Sequence, residues 1–211
     1  MKISLLRHTI DPDELCGIAA AVCTDSKNQK SSLRHAIESG HTSVLEHAVF
    51  TFKVEGLSRA ALAQLTRHRL ASFDVQSQRY VKLDNPEFVI PDTIKNSKLF
   101  HETESTMRYV MNLYQRMLDA GIPAEDARYV TPQAVPTELV MTMNVRELLH
   151  FFSLRTCNRA QWEIRKLADE MLKICRTIAP EIFANAGPGC VTDHCPEKRP
   201  CGHPRSKDDW I

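Results

Sequence analysis

Alternating apolar and polar residues predict a small β-sheet in this chain. Residues 48–55 read AVFTFKVE, and from Phe50 onward every second residue is apolar. This alternation is typical of a strand with one buried face. Gly56 is expected to end that strand, and a second short strand is predicted from Leu139 to Met143.

Apolar residues at helical spacing predict several amphipathic helices, with capping residues and glycines at their ends. The predicted helices are one that stops at Gly40, one capped by Ser58 that runs to about Arg69, one with Leu99 on its inward face that ends at Gly121, a short one from Pro123 through Arg128, one capped by Asn144 that runs to about Thr156, and one from about Arg159 to Thr177.

The chain composition is that of an ordinary globular protein, with 211 residues of which 43% are hydrophobic and 25% are charged. From Gly187 onward the composition shifts to Gly, Pro, Cys and charged residues. We therefore expect a single α+β domain over residues 1–186, in which a small, mostly antiparallel sheet packs with several long helices. Residues 187–211 are expected to form an irregular C-terminal tail.

Targeting signals are not evident in the sequence. No run approaches the ~18 apolar residues of a membrane helix, and the apolar stretch before Arg7 is too short for the core of a signal peptide. Seven cysteines without an export signal are typical of a reducing compartment. The expected location is cytoplasmic, without membrane association.

The net charge of +1 argues against bulk attraction to nucleic acid. The distribution of the charged residues is more informative about a possible ligand. Between Arg67 and Arg165 there are ten arginines and three lysines. Arginine presents a planar, permanently charged fork that suits phosphate and carboxylate groups. This bias suggests an anionic small ligand, although surface ion pairs are an equal alternative on composition alone.

The densest polar stretch is Gln64 to Tyr80, which reads QLTRHRLASFDVQSQRY. If the preceding helix continues through it, Gln64, Arg67 and His68 share one helix face. An alternative explanation is that the arginines offset the macrodipole at a helix C-terminus.

Further along this stretch, Val75, Ser77 and Arg79 would share one face of an extended segment. The macrodipole explanation does not account for these polar residues. Convergent donors of this kind suit a phosphate or a uracil-like ring.

Three sequence blocks together resemble one enzyme family. Arg67 to Arg69 followed by seven residues and Ser77 resembles the signature of the flavin-dependent thymidylate synthases. The stretch from Gly40 to Phe52, GHTSVLEHAVFTF, resembles the block upstream of that signature, and Asn144 to Arg165, NVRELLHFFSLRTCNRAQWEIR, resembles the block downstream. The order and spacing of the three blocks also agree with the family.

This resemblance implies a homotetramer with flavin sites at subunit junctions. It implies FAD as prosthetic group, with dUMP, methylenetetrahydrofolate and NADPH as substrates. By position, the FAD-binding residues implied are Ser43, Arg67, His68, Arg69, Val75, Asn144, Val145, Arg146 and His150. The implied dUMP-binding residues are Gln64, Leu65, Thr66, Arg67, Val75, Gln76, Ser77, Gln78, Arg79, Arg128 and Arg155.

One residue in these sets is expected to be catalytic. Arg155 lies where the family has an arginine against the pyrimidine, and a fixed cation there would stabilise negative charge that develops on the ring. The alternative role for Arg155 is a surface ion pair with Glu163 or another acidic residue on a helix face. Ser77 lacks the positioned base that a nucleophilic serine needs, so we assign it to dUMP binding. Val75 replaces a glutamate that many members carry, so any side-chain contact from that position is lost.

Other function classes predict different features. A nucleic-acid-binding module would need a basic surface, whereas acids here nearly cancel bases and only 7% of residues are aromatic. A catalytically inactive homologue would carry the same motifs and stays open.

The tail contains Cys190, Cys195 and Cys201 with His194 and His203 nearby, a chemically sensible zinc set. Its spacing is looser than that of paired C-x-x-C knuckles. The expectation is therefore an ordinary reduced C-terminus without metal.

Overall fold

The computed structural model describes residues 1–192 and 195–210. The strands are β1 (Lys2–His8), β2 (Val49–Ser58), β3 (Ala71–Val75) and β4 (Pro136–Asn144). The helices are α1 (Pro12–Thr24), α2 (Gln29–Glu38), α3 (Arg59–Leu65), α4 (Asp92–Lys95), α5 (Phe100–Asp119), α6 (Ala124–Ala127), α7 (Val145–Arg155) and α8 (Trp162–Ile178). Short 3-10 segments lie at Thr42–His47, Arg128–Val130, Gly189–Val191 and Lys207–Trp210.

The four strands form one antiparallel sheet in the order β1-β2-β4-β3. Alternation along β4 is complete, because every second residue from Thr137 to Met143 is buried. The α+β class expected from the sequence is confirmed. The domain boundary at residues 186 and 187 stays a prediction.

Two details of the predicted β2–α3 connection are corrected. Gly56 does not end β2: it lies inside the strand with φ 76°, a left-handed conformation that glycine adopts without a steric penalty. Ser58 does cap α3, since its Oγ accepts the Ala61 N–H at 3.0 Å. However, α3 ends at Leu65 rather than near Arg69.

The chain forms two compact units. The first comprises residues 1–2, 54–63 and 74–139. Its core contains Met111, Tyr114, Ala127 and Val135, which are all buried. The Tyr114 hydroxyl accepts the Leu83 N–H at 3.3 Å, so the one polar atom of this aromatic side chain is satisfied.

The second unit comprises residues 3–53, 64–73 and 140–211, of which residues 193, 194 and 211 lie outside the described part of the chain. Aromatic rings form much of its core. The Phe183 ring packs edge-on against Phe50 and Phe152, with centroids 5.9 Å apart in both pairs. Trp210 anchors the end of the tail, because its Nε1 donates to Asp169 Oδ1 at 2.8 Å.

The remaining helix predictions are confirmed within a few residues of each end. Leu99 is an exception: it precedes α5 and is 61% exposed rather than inward-facing. The described tail is irregular apart from its two 3-10 segments. Among the described helices, none has the length and apolar character needed to cross a membrane.

Candidate active site

The Arg67–Arg69 motif lies in a turn and not on a helix. Beyond Leu65 the chain tightens, and the His68 N–H donates to the Leu65 carbonyl three residues back at 3.1 Å. The predicted helix face shared by Gln64, Arg67 and His68 is therefore wrong. His68 turns inward and is 5% exposed, whereas the two flanking arginines are exposed.

A buried hydrogen-bonded chain links α7 to this turn. His68 Nδ1 lies 2.9 Å from Glu147 Oε1, and Glu147 is also only 5% exposed. From the end of α7, Arg155 Nε–H donates to His68 Nε2 at 3.1 Å, and its Nη2 donates to the Gln64 carbonyl at 3.4 Å. Glu147, His68 and Arg155 therefore form a hydrogen-bonded triad, in which the carboxylate orients the imidazole and the imidazole holds the guanidinium.

This geometry requires a neutral His68. Arg155 has no acceptor atom, so His68 Nε2 must present a lone pair and His68 Nδ1 must carry the proton that Glu147 accepts. Burial lowers the pKa of His68 below its usual 6.5, and the Arg155 and His150 charges lower it further, while Glu147 acts in the opposite direction. Burial also lowers the pKa of Arg155, as does the neighbouring Arg67 charge.

The outer side of this hydrogen-bonded triad opens into a pocket of about 800 Å³. The described residues that line it are Arg67, His68, Arg69, Leu70, Arg146, Glu147, His150, Leu154 and Arg155. Four are arginines, and the single carboxylate, Glu147, already accepts from His68. Such a surface suits a large anion, because guanidinium groups donate bidentate hydrogen bonds to phosphates.

Five of the nine residues expected to bind FAD line this pocket: Arg67, His68, Arg69, Arg146 and His150. The size and positive charge of the pocket fit a dinucleotide with a pyrophosphate group. The other residues of the set lie elsewhere, so the pocket brings together only part of it.

Asn144 is the cap of α7 as predicted, since its Oδ1 accepts the Glu147 N–H at 2.9 Å. Val145 is fully buried and donates its N–H to Ala48, so its side chain is a core residue. Ser43 lies exposed on the 3-10 segment Thr42–His47.

The expected dUMP set divides between the two units. The second compact unit contains Gln64, Leu65, Thr66, Arg67 and Arg155. The first compact unit contains Val75, Gln76, Ser77, Gln78, Arg79 and Arg128. Leu65 is completely buried, so its side chain packs in the core. The predicted extended face through Val75, Ser77 and Arg79 is only partly present, because β3 ends at Val75 and a turn begins at Gln78.

Around this turn the polar groups have defined partners. The Ser77 Oγ accepts the Arg79 N–H at 3.2 Å, and Arg79 Nε pairs with Glu125 Oε2 at 2.7 Å. Arg128 Nε donates to the Glu125 carbonyl at 2.9 Å. Both arginines are thereby held by one short helix, α6.

A second pocket, of about 330 Å³, lies in this unit. It is lined by Arg59, Gln78, Arg128, Tyr129, Thr131, Pro132 and Gln133. Among these described residues, two carry a positive charge and none carries a carboxylate. An anionic group the size of a phosphate suits such a lining.

Arg59 was not predicted from the sequence as a site residue. Its Nη2 donates to the Gln76 carbonyl at 3.0 Å, while its Nε is buried without a hydrogen-bond partner in the described part of the chain. Burial lowers the pKa of Arg59, and the nearby charge of Arg128 lowers it further. A bound anion would relieve both the unsatisfied donor and the repulsion between the two cations. The only sequence signal was its position directly after the Ser58 cap.

Comparisons with known proteins found a matching family model and similar proteins. A family model described as thymidylate synthase complementing protein matches residues 4–181. The chain belongs to this family. The chain is 48% identical over 212 residues to a flavin-dependent thymidylate synthase of Geobacter sulfurreducens, covering 93% of this chain and 91% of the relative. It is 45% identical over 236 residues to a protein of the same name from Pyrococcus abyssi, covering 100% and 97%.

A solved structure is similar in fold to this chain. It is a UMP/dUMP methylase from Streptomyces cacaoi bound with 5-Br dUMP, which aligns with a TM-score of 0.78 and 26% identity. The alignment covers 87% of this chain and 93% of the methylase. The resemblance identified from the three sequence blocks is therefore confirmed at the level of the family.

Proposed function

We propose that this protein is a flavin-dependent thymidylate synthase that makes dTMP from dUMP. Methylenetetrahydrofolate would donate the carbon, and NADPH would supply the reducing equivalents. The observation that carries this proposal is the four-arginine pocket built around a neutral, buried His68. It supports the proposal because Arg67, His68 and Arg69 of the family signature all line this pocket.

Five of the residues that would hold FAD line that pocket. Arg67, Arg69 and Arg146 would neutralise its pyrophosphate, and His150 would line the same cavity. Ser43, Val75, Asn144 and Val145 complete the proposed FAD set, the last through its backbone because its side chain is buried. When bound, FAD would supply the hydride chemistry at the uracil ring.

The dUMP contacts are proposed from each unit separately. In the first unit, Arg59, Gln78 and Arg128 would bind the phosphate. Ser77 and Arg79, which lie at the turn that includes Gln78, would add further dUMP contacts. Gln76 and Val75 would contribute from the end of β3. In the second unit, we propose contacts from Gln64, Leu65, Thr66, Arg67 and Arg155.

Arg155 is the proposed catalytic residue. Its guanidinium is held at Nε by His68 and at Nη2 by the Gln64 carbonyl, so among the described residues Nη1 is the nitrogen left for a ligand. A cation held in advance stabilises negative charge that develops on a pyrimidine without further reorganisation. Half-burial strengthens this effect, because water screens the charge less.

The proposed assembly is a homotetramer, since the family resemblance places flavin sites at subunit junctions and closed symmetry completes each site. The proposed location is the cytoplasm. Light scattering that reports an active, flavin-loaded monomer would contradict the assembly.

The decisive experiment is a visible absorption spectrum of the purified protein, followed by an assay for dTMP from dUMP, methylenetetrahydrofolate and NADPH. We expect flavin bands that persist after desalting and dTMP formation that requires all three substrates. Protein without flavin bands before and after addition of FAD would defeat the proposal. Flavin binding without dTMP formation would indicate an inactive homologue.

A further inference from the structure

The C-terminal tail is tied to the short segment that directly follows α7. Arg205 Nη1 donates to the Thr156 carbonyl at 3.1 Å, and Asn158 Nδ2 donates to the His203 carbonyl at 2.7 Å. Thr156 is the C-terminal cap of α7 and comes directly after Arg155. The tail therefore contacts the backbone from which the proposed catalytic residue extends.

A single nitrogen of Arg205 bridges the end of α7 and the side of α8. Besides the Thr156 carbonyl, Arg205 Nη1 donates to both carboxylate oxygens of Asp169, a residue of α8, at 2.9 and 3.0 Å. A second carboxylate holds the other edge of the same guanidinium, since Arg205 Nε donates to Asp209 Oδ2 at 2.6 Å. A guanidinium presents its donors in a rigid planar fork. The two carboxylates therefore fix Nη1 against the α7 carbonyl.

Trp210 covers this guanidinium and binds the same carboxylate. The Arg205 guanidinium carbon lies 4.4 Å from the centroid of the Trp210 ring, and Trp210 Nε1 donates to Asp169 Oδ1 at 2.8 Å. The Arg205 side chain is only 12% exposed as a result. Water and salt screen a shielded ion pair less than a pair on the surface. We call Arg205, Asp169 and Trp210 the tail clasp.

The tail clasp meets α7 at its C-terminal end, where a cation is favourable. The last carbonyl groups of a helix have no partner within the helix, and they carry the negative end of its macrodipole. Thr156 is completely buried, so water does not readily replace Arg205 as the donor to its carbonyl. Loss of Arg205 would leave this carbonyl without that donor and would loosen the last turn of α7.

From these contacts we propose that Arg205 is a positioning residue for Arg155. His68 and the Gln64 carbonyl hold the guanidinium of Arg155, whereas Arg205 fixes the backbone at the end of α7 from which that guanidinium extends. The role rests on the proposed function, because Arg155 is catalytic only in that reaction. Arg205 lies beyond residues 4–181, which the family model matches, so none of the three sequence blocks contains it.

The cysteines of the tail have no part in this role. Among residues 1–192 and 195–210, no group of three or more His, Cys, Asp or Glu side chains could hold a metal ion. His194, one of the candidate zinc ligands, lies outside the described residues. The expectation of a reduced tail without metal stays a prediction.

The first test is a double-mutant cycle on Arg205 and Arg155 in the full chain. Arg205→Ala should lower kcat for dTMP formation about tenfold, because a displaced guanidinium stabilises the developing charge less. Bound flavin and the KM for dUMP should stay close to those of the wild type. In an Arg155→Ala background, Arg205→Ala should cause no further loss of kcat, since its effect passes through Arg155. A further loss there, or wild-type kcat in Arg205→Ala alone, would overturn the proposal.

Arg176→Ala is the matched control for a general loosening of the tail. The Arg176 guanidinium carbon lies 5.2 Å from the centroid of the Trp210 ring, but its hydrogen bonds go to three backbone carbonyls outside α7. Arg176→Ala and Arg205→Ala should both lower the midpoint of thermal unfolding, and only Arg205→Ala should lower kcat. Equal losses of kcat would show that the tail stabilises the fold without positioning Arg155.

Arg205→Lys is the conservative variant. It keeps the charge but lacks the planar fork, so it cannot hold both carboxylates and the Thr156 carbonyl together. We expect a kcat between those of the wild type and Arg205→Ala, and a kcat below that of Arg205→Ala would contradict the proposal. If Arg205→Ala does not fold, Arg205→Lys takes its place in the cycle.

Hydrogen exchange separates this proposal from the proposed function. Wild-type protein that forms no dTMP would refute the reaction, and exchange would still show whether Arg205 fixes the end of α7. The Thr156 N–H, which donates to the Phe152 carbonyl at 3.1 Å, reports on that end. Its exchange should be about tenfold faster in Arg205→Ala and unchanged in Arg176→Ala. Unchanged exchange in Arg205→Ala would overturn the proposal whatever the activity.

Discussion

Glu147 is the residue whose substitution tests the proposed site most directly. It is not among the residues proposed to bind FAD or dUMP, yet it accepts the Nδ1 hydrogen of His68 at 2.9 Å and so fixes the tautomer that holds Arg155. Glu147→Ala removes that acceptor. The imidazole can then carry its proton on Nε2, where it no longer accepts from Arg155. Glu147→Gln keeps an acceptor oxygen but removes the charge.

The expected sizes follow from the contacts. In Glu147→Ala a buried N–H loses its partner, which costs about 1–3 kcal/mol, and lost side-chain packing adds about 1 kcal/mol. In Glu147→Gln a charge-assisted hydrogen bond becomes a neutral one, so the free energy of unfolding should fall by only about 1 kcal/mol. For catalysis, release of Arg155 removes a charged hydrogen bond of about 1.5–3 kcal/mol, which corresponds to a kcat about 10- to 150-fold lower.

The assay combines denaturant unfolding with dTMP turnover at saturating substrates. We expect Glu147→Ala to lose most of kcat while it keeps bound flavin, and Glu147→Gln to recover most of the loss. Glu170→Ala, on the exposed side of α8, is the control and should match the wild type within experimental error. Wild-type kcat in Glu147→Ala, or equal losses in both variants, would refute the role of tautomer control.

Other substitutions separate binding from catalysis. Arg155→Ala should retain flavin but lower kcat by about 10²-fold or more, and near wild-type turnover would mean that Arg155 is not catalytic. Ser77→Ala should raise the KM for dUMP and leave measurable turnover at saturating dUMP, whereas inactivity with normal affinity would restore the nucleophile hypothesis. Arg59→Ala should raise the KM for dUMP about tenfold through loss of a charged phosphate contact, and an unchanged KM would remove Arg59 from the site.

Much of the fold could be predicted from local pattern. Alternation identified β2 and β4 because one face of each is buried. The same rule could not find β1, whose residues are mostly exposed or half-exposed and show no alternation. Helix α1 was also missed, since its run of small apolar residues gives little contrast between its faces. An element with one buried face can therefore be predicted from its sequence pattern. The secondary structure of other segments depends on tertiary packing.

The site was predictable in its residues but not in its geometry. The signature gave Arg67, His68 and Arg69, yet the helix expected to present them ends at Leu65. Glu147 lies 79 positions from His68, so no local spacing connects the two. Arg59 was missed for a similar reason, because its buried Nε and its proximity to Arg128 are products of folding.

The lowered pKa of His68 has a consequence for pH dependence that also tests the Glu147 argument. Well above pH 6.5, the ordinary pKa of an unfolded histidine, the imidazole is neutral in both folded and unfolded chains. As the pH falls below this value, the unfolded chain takes up a proton that the folded protein still refuses, so stability declines toward the folded pKa. Protonation of folded His68 then abolishes the acceptor for Arg155, and kcat should fall along an acid limb below pH 6.5. Because Glu147 raises this pKa, Glu147→Gln should move the limb to lower pH. Rate profiles of the two proteins measure the shift, and a limb that moves upward or does not move would show that His68 does not control Arg155.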